Sequence, residues 1–550
     1  MSVTTAEARP RQHAAQRGRG GSTLTGTATM IRFILRRDRV RLPIWIGAIV
    51  LGVVGSLPTF PETYPTAADR QARADLLDNP ATIALTGPAY GTDDYTFGAM
   101  TANELLGFVA IAMALMSILL MVRHTRAEEE TGRTELLRAG VLGRHATTTA
   151  AFVVVGAANV LIALLLAVLM PPALEDLSTS GSLLFGAAVA SVGLVFTGIG
   201  ALTAQVTEHA RAATGLGAAA LGVAFALRAI GDVGNDWLSW LSPIGWAQRT
   251  RVYVDDRWWP LLLSLALTVL LVALAFATAS RRDVGAGLVQ PRLGSPRAGT
   301  LLSSPLGLAV RLQRGGLIGW AVGLLVFGLA YGSLASSIED FVSDNSTIQD
   351  FLADSDSLID GFMAMVVLMM ALLAAAYGLT SVLRLRSEET SGRAEPVLAT
   401  AVSRTRFAAG HLVVALGGSL VLLLAGGLGL GITAGIALDD GSIIGRLFGA
   451  ALAHTVGVWL VVAVAVALVG WAPQLVHLGW IVLTYGVVVG VLGGFFQFPD
   501  WVTKISPFDA ASTLPGGDPG TVALVIMGVL AVALVGIGLL GFRRRDLTTT

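Results

Sequence analysis

Arg126-Ala-Glu-Glu-Glu-Thr-Gly-Arg-Thr-Glu135 and Arg386-Ser-Glu-Glu-Thr-Ser-Gly-Arg-Ala-Glu395 carry nearly the same charges in the same order, at a constant offset of 260 residues. The match continues to Ala139 and Arg144 in the first copy and to Ala399 and Arg404 in the second. Each stretch follows one long apolar run and precedes another. Apolar identities between such runs arise from composition alone, but a repeated Arg, Glu-Glu, Gly-Arg, Glu pattern does not. The repeat marks a duplicated half, and each half presents a polar element at a membrane surface.

Composition sets the class. The 550 residues are 54% hydrophobic and 13% charged, with a mean hydropathy of +0.71. So few charges cannot cover so apolar a soluble core, so the chain reads as an all-α polytopic membrane protein. It has no cysteine, which excludes disulfides, thiolate metal sites and iron–sulfur clusters. Lys504 is the only lysine, and no Gly-x-x-x-x-Gly-Lys-Ser/Thr surrounds it, so ATP cannot bind here through a P-loop. The seven histidines are scattered; His411 and His454 stand singly in or beside apolar runs, where a helix–helix hydrogen bond is the commoner role. No metal site, enzyme or nucleic-acid interface follows from these residues.

Twelve apolar stretches are long enough to span a bilayer, near 42–58, 104–122, 147–170, 182–206, 212–230 and 259–280, then 316–335, 361–383, 407–436, 446–469, 476–496 and 521–542. Residues 1–22 read as a disordered tail, and 23–41 as an interfacial helix with Ile31, Ile34 and Leu35 opposite Arg32, Arg36 and Arg39. The first half covers 23–283, a Gly/Pro-rich linker 284–305, the second half 306–546, and a short tail 547–550. Gly427, Gly431 and Gly435 form a small-residue stripe suited to close helix packing. Basic residues gather at the N-terminal segment, the repeated stretches, the linker and Arg543–Arg545. Acidic loops alternate with them, as at Asp69, Asp75, Asp93 and Asp94, and at Glu339, Asp344 and Asp350. Cationic loops stay inside, so both termini are expected in the cytosol of a plasma-membrane protein. Asp232, Asp236, Asp255 and Asp256 are expected as solvated carboxylates of an outer loop.

Two further markers recur in order: Trp237…Ser242-Pro243 with Trp501…Ser506-Pro507, and Arg281-Arg282-Asp283 with Arg544-Arg545-Asp546. Within each charged stretch, Glu129 with Arg133 and Glu389 with Arg393 are spaced to face each other on a surface helix. Two such elements imply two copies of a cytosolic partner.

The Arg-x-Glu-Glu-x-x-Gly-Arg-x-Glu pattern, the Trp…Ser-Pro segment and the amphipathic N-terminal helix resemble the permeases of ABC exporters with the ABCG-like fold. The resemblance is to the fused twelve-span form found with multidrug and polyether-antibiotic (tetronasin-like) exporters. It implies two six-helix halves, with coupling helices near 126–144 and 386–404. Docking of two separate ATP-binding subunits, which carry ATP and Mg, would then fall to Arg126, Glu128, Glu129, Gly132, Arg133, Glu135 and Arg138, and to Arg386, Glu388, Glu389, Gly392, Arg393 and Glu395. In that fold spans two, five, eight and eleven line the substrate cavity. Here that implicates Phe108, Met113, Met116, Phe225, Phe362, Met363, Met365, Met369, Met370, Tyr485, Phe495 and Phe496, whose soft side chains suit hydrophobic or amphipathic small molecules. The sequence departs from symmetry before the fifth span of each half, with Glu208-His209-Ala-Arg211 against Trp471-Ala-Pro473-Gln474, and at Pro396, which stands where the first copy has Leu136. The two docking surfaces are therefore expected to be unequal. The rival reading is an ion-coupled twelve-span carrier, for which Arg228 and His454 are the few intramembrane ionisable candidates; a weaker one is a scaffold that anchors an ATPase.

Overall fold

The computed structural model describes residues 22–75, 77, 80–132, 142–234, 236–282, 285–289, 297, 299–335, 357–496, 500–517 and 519–546. The tail 1–21, most of the second acidic loop, part of the linker, and Arg133, Glu135 and Arg138 lie outside the described residues. The described residues contain no strand. Among the described residues, twelve helices are long and apolar enough to cross a membrane. They are numbered here as spans one to twelve: Arg41–Ser56, Phe97–His124, Ala146–Ala173, Thr179–Val206, Ala210–Val233, Pro260–Ala279, Pro305–Gly332, Ser357–Thr390, Arg404–Ala437, Ser442–Trp471, Gly479–Phe496 and Thr521–Arg544. Short helices outside the spans include α1 (Thr27–Arg37), α2 (Pro80–Thr86), α3 (Arg126–Glu130), α4 (Pro243–Gln248), α5 (Ala394–Leu398) and α6 (Asp500–Ile505). All twelve predicted stretches coincide with these spans. Spans two, seven and eight begin or end well beyond the apolar runs because their polar ends stay helical.

Several starts are set by hydroxyl caps, which satisfy N–H groups that have no partner within the helix. Ser178 accepts from Gly181 N–H at 3.0 Å, Ser304 from Gly307 at 3.1 Å, and Ser403 from Arg406 at 3.3 Å. The chain forms two compact units that divide at 292/293. In the first, span four is the hub, packed on spans two, three and six. Asn159 of span three is fully buried there and bonds Ser117 of span two at 3.0 Å, a polar contact that fixes register inside an apolar bundle. In the second unit span ten is the hub, and span seven lies along span nine. Gly427 meets Ala451 of span ten, and Gly431 and Gly435 meet Ile444, so the predicted stripe is the seat of span ten. His411 sits where spans seven, eight and nine meet. Gln313 reaches its Nδ1 at 3.4 Å and accepts from Ser381 at 2.6 Å.

At the end of the first unit away from the charged stretches, Arg228 of span five is fully buried. It donates to the carbonyls of Ile83 (3.1 Å) and Leu85 (3.0 Å) on α2, lies over the Phe225 ring, and stands 3.8 Å from Asp232. Asp232 corrects the expectation of a solvated loop carboxylate. Its side chain is enclosed on the last turn of span five, accepting from Ser239 at 2.6 Å and Arg249 at 3.3 Å. The reason is that the helix runs three residues past the apolar stretch and carries the carboxylate under α4. Asp236 is exposed and pairs with Arg249, Asp255 pairs with Arg251 and Arg257 at the surface, and Asp256 receives the Tyr253 N–H at 2.8 Å. Ser242-Pro243 starts α4, and Gln248 on α4 donates to Thr86 O at 2.5 Å. Arg228→Met should cost on the order of 3 kcal/mol, because it leaves buried carbonyls and Asp232 without their cation. A melting temperature in detergent equal to that of the wild type would contradict this anchoring role.

Candidate functional site at the charged ends of spans two and eight

Span two breaks at Thr125 before α3, whereas span eight runs unbroken to Thr390. Both copies then turn at the repeated glycine, with φ +71° at Gly132 and +70° at Gly392. No atom lies within 4 Å of a Cβ built at either position, so the demand for glycine is conformational and not one of space. The turn is closed by Gly132 N–H to Glu129 O and Gly392 N–H to Glu389 O, each at 3.0 Å.

The second Glu of the pattern is the centre of each site. In the first unit Glu129 accepts from Arg126 at 2.7 Å and from Arg282 at 2.7 Å. Arg126, 1% exposed, also donates to Gly285 O and Ala286 O, and Arg282 bonds Gln205 at the end of span four at 2.5 Å. In the second unit Glu389, 1% exposed, accepts from Arg386 at 3.0 Å and takes a two-pronged pair from Arg545 at 2.5 and 2.6 Å. The last repeated arginine adds to the same join. Arg144 donates to Ala279 O and Ser280 O at 3.2 and 2.8 Å, and Arg404 to Arg545 O at 2.8 Å. A guanidinium at the carbonyl end of a helix satisfies orphan acceptors and offsets the negative dipole end. The charged stretch and the Arg-Arg-Asp marker are thus two sides of one contact, between span two and the end of span six, and between span eight and the end of span twelve.

This corrects the expected face-to-face pairing of Glu389 with Arg393. Gly392 takes the chain out of the helix before Arg393, so the four-residue spacing no longer places the two together. Arg393 is exposed and turns to Ser391 at 2.9 Å and to Glu388 at 3.4 Å. Glu389 is an internal group, not a surface one; the matching partner Arg133 lies outside the described residues. Glu128 and Glu388 are also buried, but their partners differ. Glu128 pairs with Arg37 of α1, and Glu388 with Arg384 of its own helix at 2.8 Å. Exposed residues of the second copy include Ser387, Thr390, Ser391, Arg393, Glu395 and Pro396.

Three side chains of this region were missed in the sequence. Asp38, fully buried after α1, accepts from Arg123 at 3.2 Å and meets His124 Nε2 at 2.7 Å. Glu130 accepts the first N–H of span five, Ala210, at 2.8 Å and lies 3.4 Å from His209. Thr390 replaces it in the second copy, so the repeat gave no signal for it. Gln205 likewise has no marker in the pattern.

The expected cavity residues divide. Met113, Met116, Met363 and Met370 are fully buried among the helices of their own units. Phe225 lies under Arg228, and the Tyr485 hydroxyl donates to Val502 O at 2.5 Å. Phe108 and Met365 are exposed on spans two and eight, and Phe362 and Met369 are half-buried. The side chains of Phe495 and Phe496 lie outside the described residues.

Glu389→Ala strands two arginines and should cost on the order of 3 kcal/mol, whereas Glu395→Ala at the surface should cost less than about 1 kcal/mol. A double-mutant cycle of Glu389→Ala with Arg545→Ala on thermal stability measures this, and zero coupling would show that the pair holds nothing.

The family model described as "Multidrug efflux system permease Rv1217c, C-terminal domain" matches residues 31–278 and 302–543, one stretch in each unit. The multidrug efflux system permease protein Rv1217c of Mycobacterium tuberculosis is 39% identical over 553 residues, covering 99% of this chain and 100% of that protein. A helical chain with twelve membrane-capable spans, matched over nearly its whole length, belongs to the multidrug efflux system permease family.

Proposed function

We propose that this chain is the permease of an ATP-driven ABC exporter that moves hydrophobic and amphipathic small molecules out of the cell. It is made of two fused six-span halves with both termini in the cytosol, and two separate ATP-binding subunits, carrying ATP and Mg, drive it. The observation that carries the reading is the pair of matching joins, Arg126–Glu129–Arg282 and Arg386–Glu389–Arg545. A charged element locked to the last span of its half is built to pass a push from outside the membrane to the helices. A solvated connector would need no such lock.

Docking falls to the exposed turn after each lock, at Thr131 and Gly132 in the first copy and at Arg393 and Glu395 in the second. Glu129 and Glu389 hold the element rigid. The substrate path runs along the outward stripes of spans two and eight, with Phe108 on one and Phe362, Met365 and Met369 on the other. Ion coupling has less support. Arg228 is engaged by α2 carbonyls and Asp232, and His454 is buried with its Nδ1 on Ala450 O at 3.0 Å. Glu130 ties the first docking element to span five, and Thr390 gives the second no such carboxylate, which supports unequal halves.

Reversing Arg393 and Glu395 together should lower efflux and weaken co-purification of the ATP-binding subunit by about tenfold, with expression and melting temperature unchanged. Loss of one or two charge-assisted contacts is worth about that much. Full efflux by the reversed variant would remove the docking assignment.

A further inference from the structure

We infer that α1 is a binding surface for anionic phospholipid headgroups of the leaflet that faces the charged end of span two; this rests on the orientation proposed above. The buried face of α1 carries Met30 and Ile34 and packs on span three. Its opposite face carries Arg32 and Arg36, one turn apart, with Arg39 just beyond, all exposed. Exposed Phe33 and Val40 flank that basic stripe on one side and Leu35 on the other. Cations in the middle and apolar side chains at both edges fit a helix lying at the depth of phosphates, with its flanks among the upper acyl chains.

Electrostatics select the headgroup. Arg123, Arg126, Arg144 and Arg282 of the same unit all have carboxylate or carbonyl partners. Arg32, Arg36 and Arg39 have none among the described residues, so their charge is available to something outside the chain. Phosphatidylcholine offers phosphate with a compensating ammonium, whereas phosphatidylglycerol offers phosphate with no compensating cation. The helix is held at both ends. Gly143 and His145 donate to Thr25 O and Thr23 O at 2.9 and 3.0 Å, Asp38 is buried against Arg123 and His124, and Arg37 pairs with Glu128. Lipid gripped by α1 therefore bears on the same charged element that Glu129 locks.

The test is native mass spectrometry of the full purified chain in detergent, titrated with phosphatidylglycerol or phosphatidylcholine of identical acyl chains. Phosphatidylglycerol should bind at least about tenfold more tightly, since each basic residue near an anionic headgroup contributes a several-fold factor. The Arg32→Gln, Arg36→Gln, Arg39→Gln triple variant should lose that preference. The Arg→Lys triple should keep most of it, which separates lost charge from lost folding. An undiminished preference in the Gln triple, equal binding of both lipids by the wild type, or displacement by soluble glycerol phosphate would each overturn the assignment. No ATP or partner enters the measurement, so a negative result leaves the exporter reading standing.

Discussion

A carboxylate held between two arginines, at the point where a membrane helix runs out of apolar residues, is the constraint on which the rest depends. Glu129 and Glu389 are each fixed from one side by an arginine of their own segment and from the other by an arginine that follows the last span of the unit. Breaking such a pair strands charge in a poorly solvated place, so the contact resists separation far more than an exposed pair of the same residues would. It converts two spans and the segment between them into a single mechanical element. The glycine that follows is then forced, because the chain must leave the helix at once in a left-handed conformation.

Around that element the two units differ in what they attach to it. The first recruits α1 through Arg37 and Asp38 and the start of span five through Glu130. In the second, Glu388 turns to arginines of its own segment, and span seven lies along span nine with its cap at Ser304.

Much of this was legible in the sequence, for a physical reason. Span lengths follow from bilayer thickness, and all twelve apolar stretches became helices. The repeated charges were visible because composition does not produce them. Their partners were harder to see. Periodicity along one helix suggested Glu389 with Arg393, but the true partner, Arg545, is 156 residues away and was met only as a separate repeated marker. Asp232 was misplaced because the hydropathy signal stops before the helix does. Which side of spans two and eight faces its own unit is decided by packing that no single sequence displays.

In the function proposed above, two locked elements serve two separate motor subunits. The direct test is the intact mass of the complex isolated from its native host under non-denaturing conditions. The account requires one 57.0 kDa permease with two copies of an ATP-binding chain, and ATPase activity that departs with those copies. A permease that supports efflux alone, or with a single ATP-binding chain, would contradict it.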